Sequence, residues 1–190
     1  MTSASYLTML TVLSLAPAAV HAQSAGDWTL GVGAGYVVPS TSDVDFRGVT
    51  VRLEAENAIS FSAEYFLTDS VGLEFFFGGN SFFDDPSWLP PVIGLNYHFQ
   101  GLDPVKPFLG MGINYGAIST VDAPLGLIDI KHSFGLALHA GFDIALNERD
   151  MLRVSARYVE LDFKVDLGGT DVGSATLEPV MLGLFYMRRF

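Results

Sequence analysis

The sequence predicts an all-β protein, an eight-stranded antiparallel transmembrane β-barrel with short periplasmic turns and four longer external loops. Three observations predict it. Bulky apolar residues alternate with small ones at a period of two in eight segments, each about ten residues long, the length that crosses a bilayer at a tilt. The connections between segments alternate between short and long, as they do in outer-membrane barrels. The face opposite the bulky residues is mostly Gly, Ser, Ala, Asn and Thr, which suits the crowded interior of a narrow barrel better than a surface in water.

Each strand carries the pattern. Trp28, Leu30, Val32, Ala34 and Tyr36 alternate with Thr29, Gly31, Gly33 and Gly35. Ile59, Phe61, Ala63, Tyr65 and Leu67 oppose Ser60, Ser62 and Glu64, and Val71, Leu73, Phe75 and Phe77 oppose Gly72, Glu74, Phe76 and Gly78. The fourth strand sets Ile93, Leu95, Tyr97 and Phe99 against Val92, Gly94, Asn96 and His98. The fifth sets Leu109, Met111, Ile113 and Tyr115 against Phe108, Gly110, Gly112, Asn114 and Gly116. In the sixth, Phe134 to Ile144 on the even positions oppose Ser133 to Asp143 on the odd ones. Leu152, Val154, Ala156 and Tyr158 oppose Arg153, Ser155 and Arg157 in the seventh, and Val180, Leu182, Leu184 and Tyr186 oppose Met181, Gly183, Phe185 and Met187 in the last. Tyrosines near the strand ends fit aromatic girdles. Thr68-Asp69-Ser70, the Leu146–Asp150 stretch and the Gln100–Lys106 link are short. The connections near Val38–Asn57, Asn80–Pro90, Ser119–Lys131 and Lys164–Thr176 are longer.

Composition agrees. The chain has 190 residues, 49% hydrophobic and 16% charged, and this apolar excess has no helical span to hold it. The longest uncharged apolar stretch, Tyr6 to Val20, falls short of the roughly 18–20 residues that a helix needs. The net charge of −11 argues against nucleic acid, where binding depends on neutralising phosphates. The absence of cysteine excludes a disulfide scaffold and thiolate metal or redox sites. Leu7 to Leu15 reads as the h-region of an export signal. Val20-His21-Ala22 follows with small or aliphatic residues where a signal peptidase reads, so cleavage is expected after Ala22. That divides the chain into a signal peptide, 1–22, and a barrel domain, 23–190.

From Trp28 onward the chain resembles the outer membrane protein W (OmpW) family of Gram-negative bacteria, most specifically in strands five to eight. The resemblance is carried by Pro107-Phe108-Leu109-Gly110-Met111-Gly112-Ile113-Asn114-Tyr115 and by Ser133-Phe134-Gly135-Leu136-Ala137-Leu138-His139-Ala140-Gly141-Phe142-Asp143. Leu146-Asn147, Arg157-Tyr158, Glu178-Pro179 and the terminal Phe190 complete it. The resemblance implies an eight-stranded barrel with a narrow hydrophobic channel, linked to uptake of small hydrophobic compounds across the outer membrane. It also implies that Phe190 is recognised by the barrel-assembly machinery. Two residues before the end, where the family usually has an aromatic, this chain has Arg188.

Parity and depth divide the inward residues into two groups. Glu64, Glu74, His98, Asp143 and Arg153 fall near the periplasmic end, with Arg157 about one pleat higher. The acids and arginines should pair there as a polar plug, because an unpaired charge in a narrow barrel is costly. Higher up the inward residues are apolar: Val37, Phe76, Val92, Met181 and Phe185, joined by Leu161 and Phe163 where the alternation of strand seven slips. These are the expected lining for a small hydrophobic ligand. With the straight path blocked by charge, a sideways exit through the wall is expected. Gly and Pro near the upper strand ends (Pro39, Gly78, Gly79, Pro90, Pro91, Gly116, Pro124) weaken pairing there.

No catalytic residue is expected: His132 and Ser133 face opposite sides of a strand, and no metal-ligand spacing or phosphate loop stands out. No cofactor and no metal are predicted. The expected partners are outer-membrane lipids and lipopolysaccharide, the hydrophobic ligand and the assembly machinery, around a monomeric barrel. The alternative is a structural or adhesive barrel. Its loop acids Asp43, Asp45, Asp84, Asp85, Asp122 and Asp129 would then bind divalent ions between lipopolysaccharides, or a host surface.

Overall fold

The computed structural model describes residues 23–41, 43–46, 49–52, 54–79, 88–116, 121–123, 126–131, 133–167 and 170–190. The expected signal peptide and His132 lie outside them, as do the side chains of the loop acids Asp43, Asp45, Asp84, Asp85, Asp122 and Asp129. No helix among the described residues is long and apolar enough to cross a membrane. The strands, in chain order, are β1 (Trp28–Val38), β2 (Asp43–Phe46), β3 (Val49–Arg52), β4 (Glu56–Phe66), β5 (Val71–Gly79), β6 (Trp88–His98), β7 (Val105–Gly116), β8 (Val121–Ala123), β9 (Gly126–Lys131), β10 (Ser133–Ala145), β11 (Asp150–Val159), β12 (Leu161–Leu167), β13 (Thr170–Leu177) and β14 (Val180–Arg189).

Eight of them close a barrel in the order β1-β14-β11-β10-β7-β6-β5-β4, every neighbour antiparallel. Closure matters because no water in the hydrocarbon would satisfy an open edge. It is completed by the last residue: the Phe190 N–H donates to the Trp28 carbonyl at 2.9 Å. The remaining strands extend the loop end. β2 pairs with β3, and β13-β12-β9-β8 form a second sheet. The sequence pattern marked these stretches only as loops, because strands beyond the bilayer carry no lipid-facing alternation.

The alternation read from the sequence holds through the wall. On β5 the odd residues Leu73 and Phe75 are exposed, whereas Gly72, Glu74, Phe76 and Gly78 are buried. On β11 every odd residue from Met151 to Val159 is buried. Leu161 continues that row, so the expected slip in strand seven is not a slip of register. The inward face keeps its parity past the break at Glu160 and changes chemistry from charged to apolar. Tyr65, Tyr97 and Tyr186 ring the turn end with Trp28, while Tyr36 and Tyr115 stand near the loop end, and Trp28 packs on Tyr65 at 5.0 Å between ring centroids. Such amphipathic rings suit the two membrane interfaces.

The interior is filled, as eight strands allow. β1 presents glycine inward, and β14 uses the space: a Cβ at Gly33 would come within 2.5 Å of the Phe185 ring.

Candidate functional site

The lumen holds a charged network beside an apolar cluster. β4 and β5 place Glu64 and Glu74 directly opposite each other, and like charges so placed repel unless a cation intervenes. Arg153 of β11 intervenes. Its Nη2 donates to Glu64 Oε2 at 2.8 Å and its Nη1 approaches Glu74 Oε1 at 3.5 Å. Its Nε and Nη2 hold both oxygens of Asp143, at 2.7 and 3.0 Å. Arg157, one pleat higher, donates to Glu74 Oε2 at 2.6 Å. His98 Nε2 lies 2.8 Å from Glu64 Oε1, and its Nδ1 lies 3.6 Å from Asp143 Oδ2.

All six residues expected in the plug are therefore brought together, and all are buried. Several others join them. His139 sits between Arg157 Nη2 at 3.0 Å and Glu74 Oε2 at 3.3 Å from its Nδ1. Asn96 Nδ2 donates to Glu64 at 2.9 Å, and the Ser62 hydroxyl donates to Glu74 at 2.8 Å. Their inward parity was readable, but nothing in sequence spacing shows that three strands aim them at the same pair of carboxylates. The Phe108 ring lies 4.5 Å beneath the Arg153 guanidinium, and Phe76 lies 4.1 Å from that of Arg157, close enough for cation–π attraction between buried groups. Buried charges so paired resist separation, since breaking any pair leaves a lone charge in a low-dielectric interior, and they form a charged partition across part of the lumen.

The apolar cluster begins at the loop end but is not, as the sequence suggested, confined above the charges: Met181 stands opposite Arg157 and Phe185 opposite Arg153 across the β11–β14 ladder. Phe76, Val92, Leu161, Met181 and Phe185 form it together with Ala137 and Val159, and Val37 packs against its side. Phe76 and Phe185 meet edge to face at 6.1 Å. The Phe163 backbone pairs with Ala175, but its side chain lies outside the described residues. Asn114 bends the chain over this cluster: its inward amide donates to the Glu160 carbonyl at 2.8 Å, at the break between β11 and β12. Below, the cluster runs down β14 and β11 to Met187 and Met151.

One seam beside the cluster is irregular. On the β5–β6 ladder Phe76 pairs with Val92, but the next pair is Gly78 with Leu89. Phe77 thus stands against both Pro90 and Pro91 in a bulge, and neither proline has an N–H to donate.

Comparison with known proteins places the chain. The OmpW family model matches residues 24–190. Outer membrane protein W of Vibrio cholerae is 25% identical over 198 aligned residues, covering 90% of each chain. The dibenzothiophene metabolism operon protein PahQ of Pseudomonas aeruginosa is 33% identical over 108 residues, 55% of this chain and about half, 51%, of that relative. Among solved structures, the outer membrane protein AlkL aligns over 92% of this chain and 95% of its own with a TM-score of 0.64 at 21% identity. OprG from Pseudomonas aeruginosa aligns over 90% and 99% with a TM-score of 0.60 at 20% identity. At those identities the two structures attest the fold, and it is the barrel found here. From the match across nearly the whole described chain, this protein belongs to the OmpW family and is an outer-membrane β-barrel.

Proposed function

We propose that this barrel is a passive conduit for small hydrophobic molecules, which enter at the loop end and leave sideways into the membrane through the β5–β6 seam. The observation that carries the reading is the position of Phe76 and Val92. They are the last regular pair before the bulge at Pro90 and Pro91, and both line the apolar cluster. An apolar molecule at the loop end of that cluster has below it both the charged network and the packed side chains of Phe185, Met187 and Met151, and beside it a wall short of two donors. Crossing the partition means separating buried ion pairs, whereas parting the seam breaks few hydrogen bonds and leads into hydrocarbon. The relative PahQ, named for a dibenzothiophene metabolism operon, supports a link to aromatic hydrophobic compounds.

The test is uptake of a fluorescent hydrophobic probe into liposomes carrying the barrel. Phe76→Asp and Met181→Asp, each checked for a folded barrel by heat-modified gel migration, are expected to cut uptake severalfold. Pro90→Val with Pro91→Val restores two donors to the seam and is expected to slow uptake while leaving the cluster intact. Unchanged uptake in the aspartate variants overturns the conduit.

A further inference from the structure

A second group of charges lies outside the lumen, on the outer rim at the turn end. The turn between β10 and β11 frames it and is held tightly. Asn147 Oδ1 accepts from the Arg149 and Asp150 N–H groups, both at 2.9 Å, and its Nδ2 donates to Asp150 Oδ2 at 2.8 Å, the local bonding for which Asn is favoured in turns. β14 ties the same turn from the side. The Arg189 N–H donates to the Arg149 carbonyl at 2.8 Å, and its Nη2 donates to the Glu148 carbonyl at 2.7 Å. Beside this frame an open hollow of about 440 Å³ is lined by Asn147, Glu148, Arg149, Asp150 and Arg188.

The charges of this hollow leave room for a ligand. Asp150 is the most occupied of them: its Oδ1 accepts from the Tyr186 hydroxyl at 2.6 Å and from Arg188 Nη1 at 3.3 Å, and its Oδ2 from Asn147. Arg188 has five N–H donors and spends one of them there. Arg149 and Glu148 stand exposed on the turn. The hollow therefore offers two guanidiniums and one exposed carboxylate beside a carboxylate already bonded. Its formal charge sums to zero, so a simple anion meets Glu148 and a simple cation meets the arginines. A molecule with a phosphate and an ammonium a few bonds apart satisfies both signs at once. Depth adds the rest of the ligand. Arg188 continues the outward row of Leu182, Leu184 and Tyr186 on β14, so the hollow lies just below the aromatic ring that marks the interface. Leu182 and Leu184, 52% and 51% exposed, face hydrocarbon above it.

We propose that this hollow is a headgroup site for an aminophospholipid of the turn-end leaflet. Its phosphate sits between Arg149 and Arg188, its ammonium faces Glu148, and its acyl chains run up the wall along Leu184 and Leu182. The planar fork of Arg188 matches phosphate geometry, and charge-assisted bonds of this kind are the strong ones. Asp150 holds Arg188 at the rim without consuming its fork. The site is independent of the lumen, so it does not rest on the conduit.

Native mass spectrometry of the folded barrel, released from micelles holding equal amounts of phosphatidylethanolamine, phosphatidylglycerol and phosphatidylcholine, tests this. Wild type is expected to retain phosphatidylethanolamine severalfold more than the other two, which lack a primary ammonium. Arg188→Tyr, which keeps an interfacial side chain, and Arg149→Ser, at the exposed turn, are each expected to cut that retention severalfold. Glu148→Gln is expected to keep phospholipid bound while levelling phosphatidylethanolamine with phosphatidylglycerol, a change of selectivity that a merely structural role would not produce. Heat-modified gel migration checks that each variant is folded, and Arg149→Ser carries the test if Arg188→Tyr fails to assemble. Equal retention of the three lipids by wild type overturns the proposal, as does unchanged retention in the arginine variants. Displacement of the lipid by inorganic phosphate at the same concentration shows a plain anion site and overturns it too.

Discussion

Arg153 and Asp143 stand directly opposite each other on β11 and β10, and the guanidinium holds both carboxylate oxygens while also reaching Glu64. This pair is the keystone of the partition, because it ties three strands through one side chain. Arg153→Met or Asp143→Asn alone is expected to cost about 3–5 kcal/mol, the usual penalty for orphaning a buried charge. The double variant should cost less than the sum, with a coupling of roughly 0.5–3 kcal/mol. Urea unfolding in detergent micelles measures both, and strictly additive losses would show that the pair is not a unit.

The second arm of the network is expected to help close the bore. Glu74→Ala with Arg157→Ala removes a 2.6 Å ion pair and the side chains that carry it. It is expected to give steady ion conductance in planar bilayers above that of the wild type. Conductance equal to that of the wild type would place the seal elsewhere.

Lipid exposure sets a separate prediction. Met111 is 61% exposed on the outer wall between Leu95 and Leu138. Met111→Arg is expected to destabilise the barrel by about 2–4 kcal/mol if that surface lies in hydrocarbon. Leu146, 55% exposed beside the turn between β10 and β11, is the control. Leu146→Arg should change stability by roughly 0.5 kcal/mol or less. Equal effects of the two changes would contradict the membrane placement.

Inside the wall, Gly112 allows close approach of two strands. A Cβ there would come 2.5 Å from the Ile93 carbonyl oxygen and 2.7 Å from Gly94 Cα, and backbone cannot rotate away. Gly112→Ala is expected to reduce the yield of folded barrel in refolding into detergent, visible as loss of the fast-migrating gel form.

Much of this was legible in the sequence because lipid enforces parity. Once Leu73 and Phe75 must face outward, Glu74 and Phe76 must face inward, and the same rule placed His98, Asp143, Arg153 and Arg157 in the lumen. Parity assigns a face but not a partner. That His139 and Ser62 converge on Glu74 depends on strand stagger, which pairs Glu74 with Glu64 and His139 with Arg157. The apparent slip at Val159 and Leu161 had a similar origin: above the bilayer the inner face becomes the apolar one, so hydrophobicity stops marking the outside.

The bond from the Phe190 N–H to the Trp28 carbonyl makes the barrel a structure that gauges its own completeness. Seven strands leave two unpaired edges, and the eighth supplies its last donor from the final residue of the chain. Nothing near the start of the barrel can be finished until its end has arrived. A chain shortened by a few residues at its C-terminus would lose the turn-end pairs of the β1–β14 ladder and leave the Trp28 carbonyl without its donor in the wall.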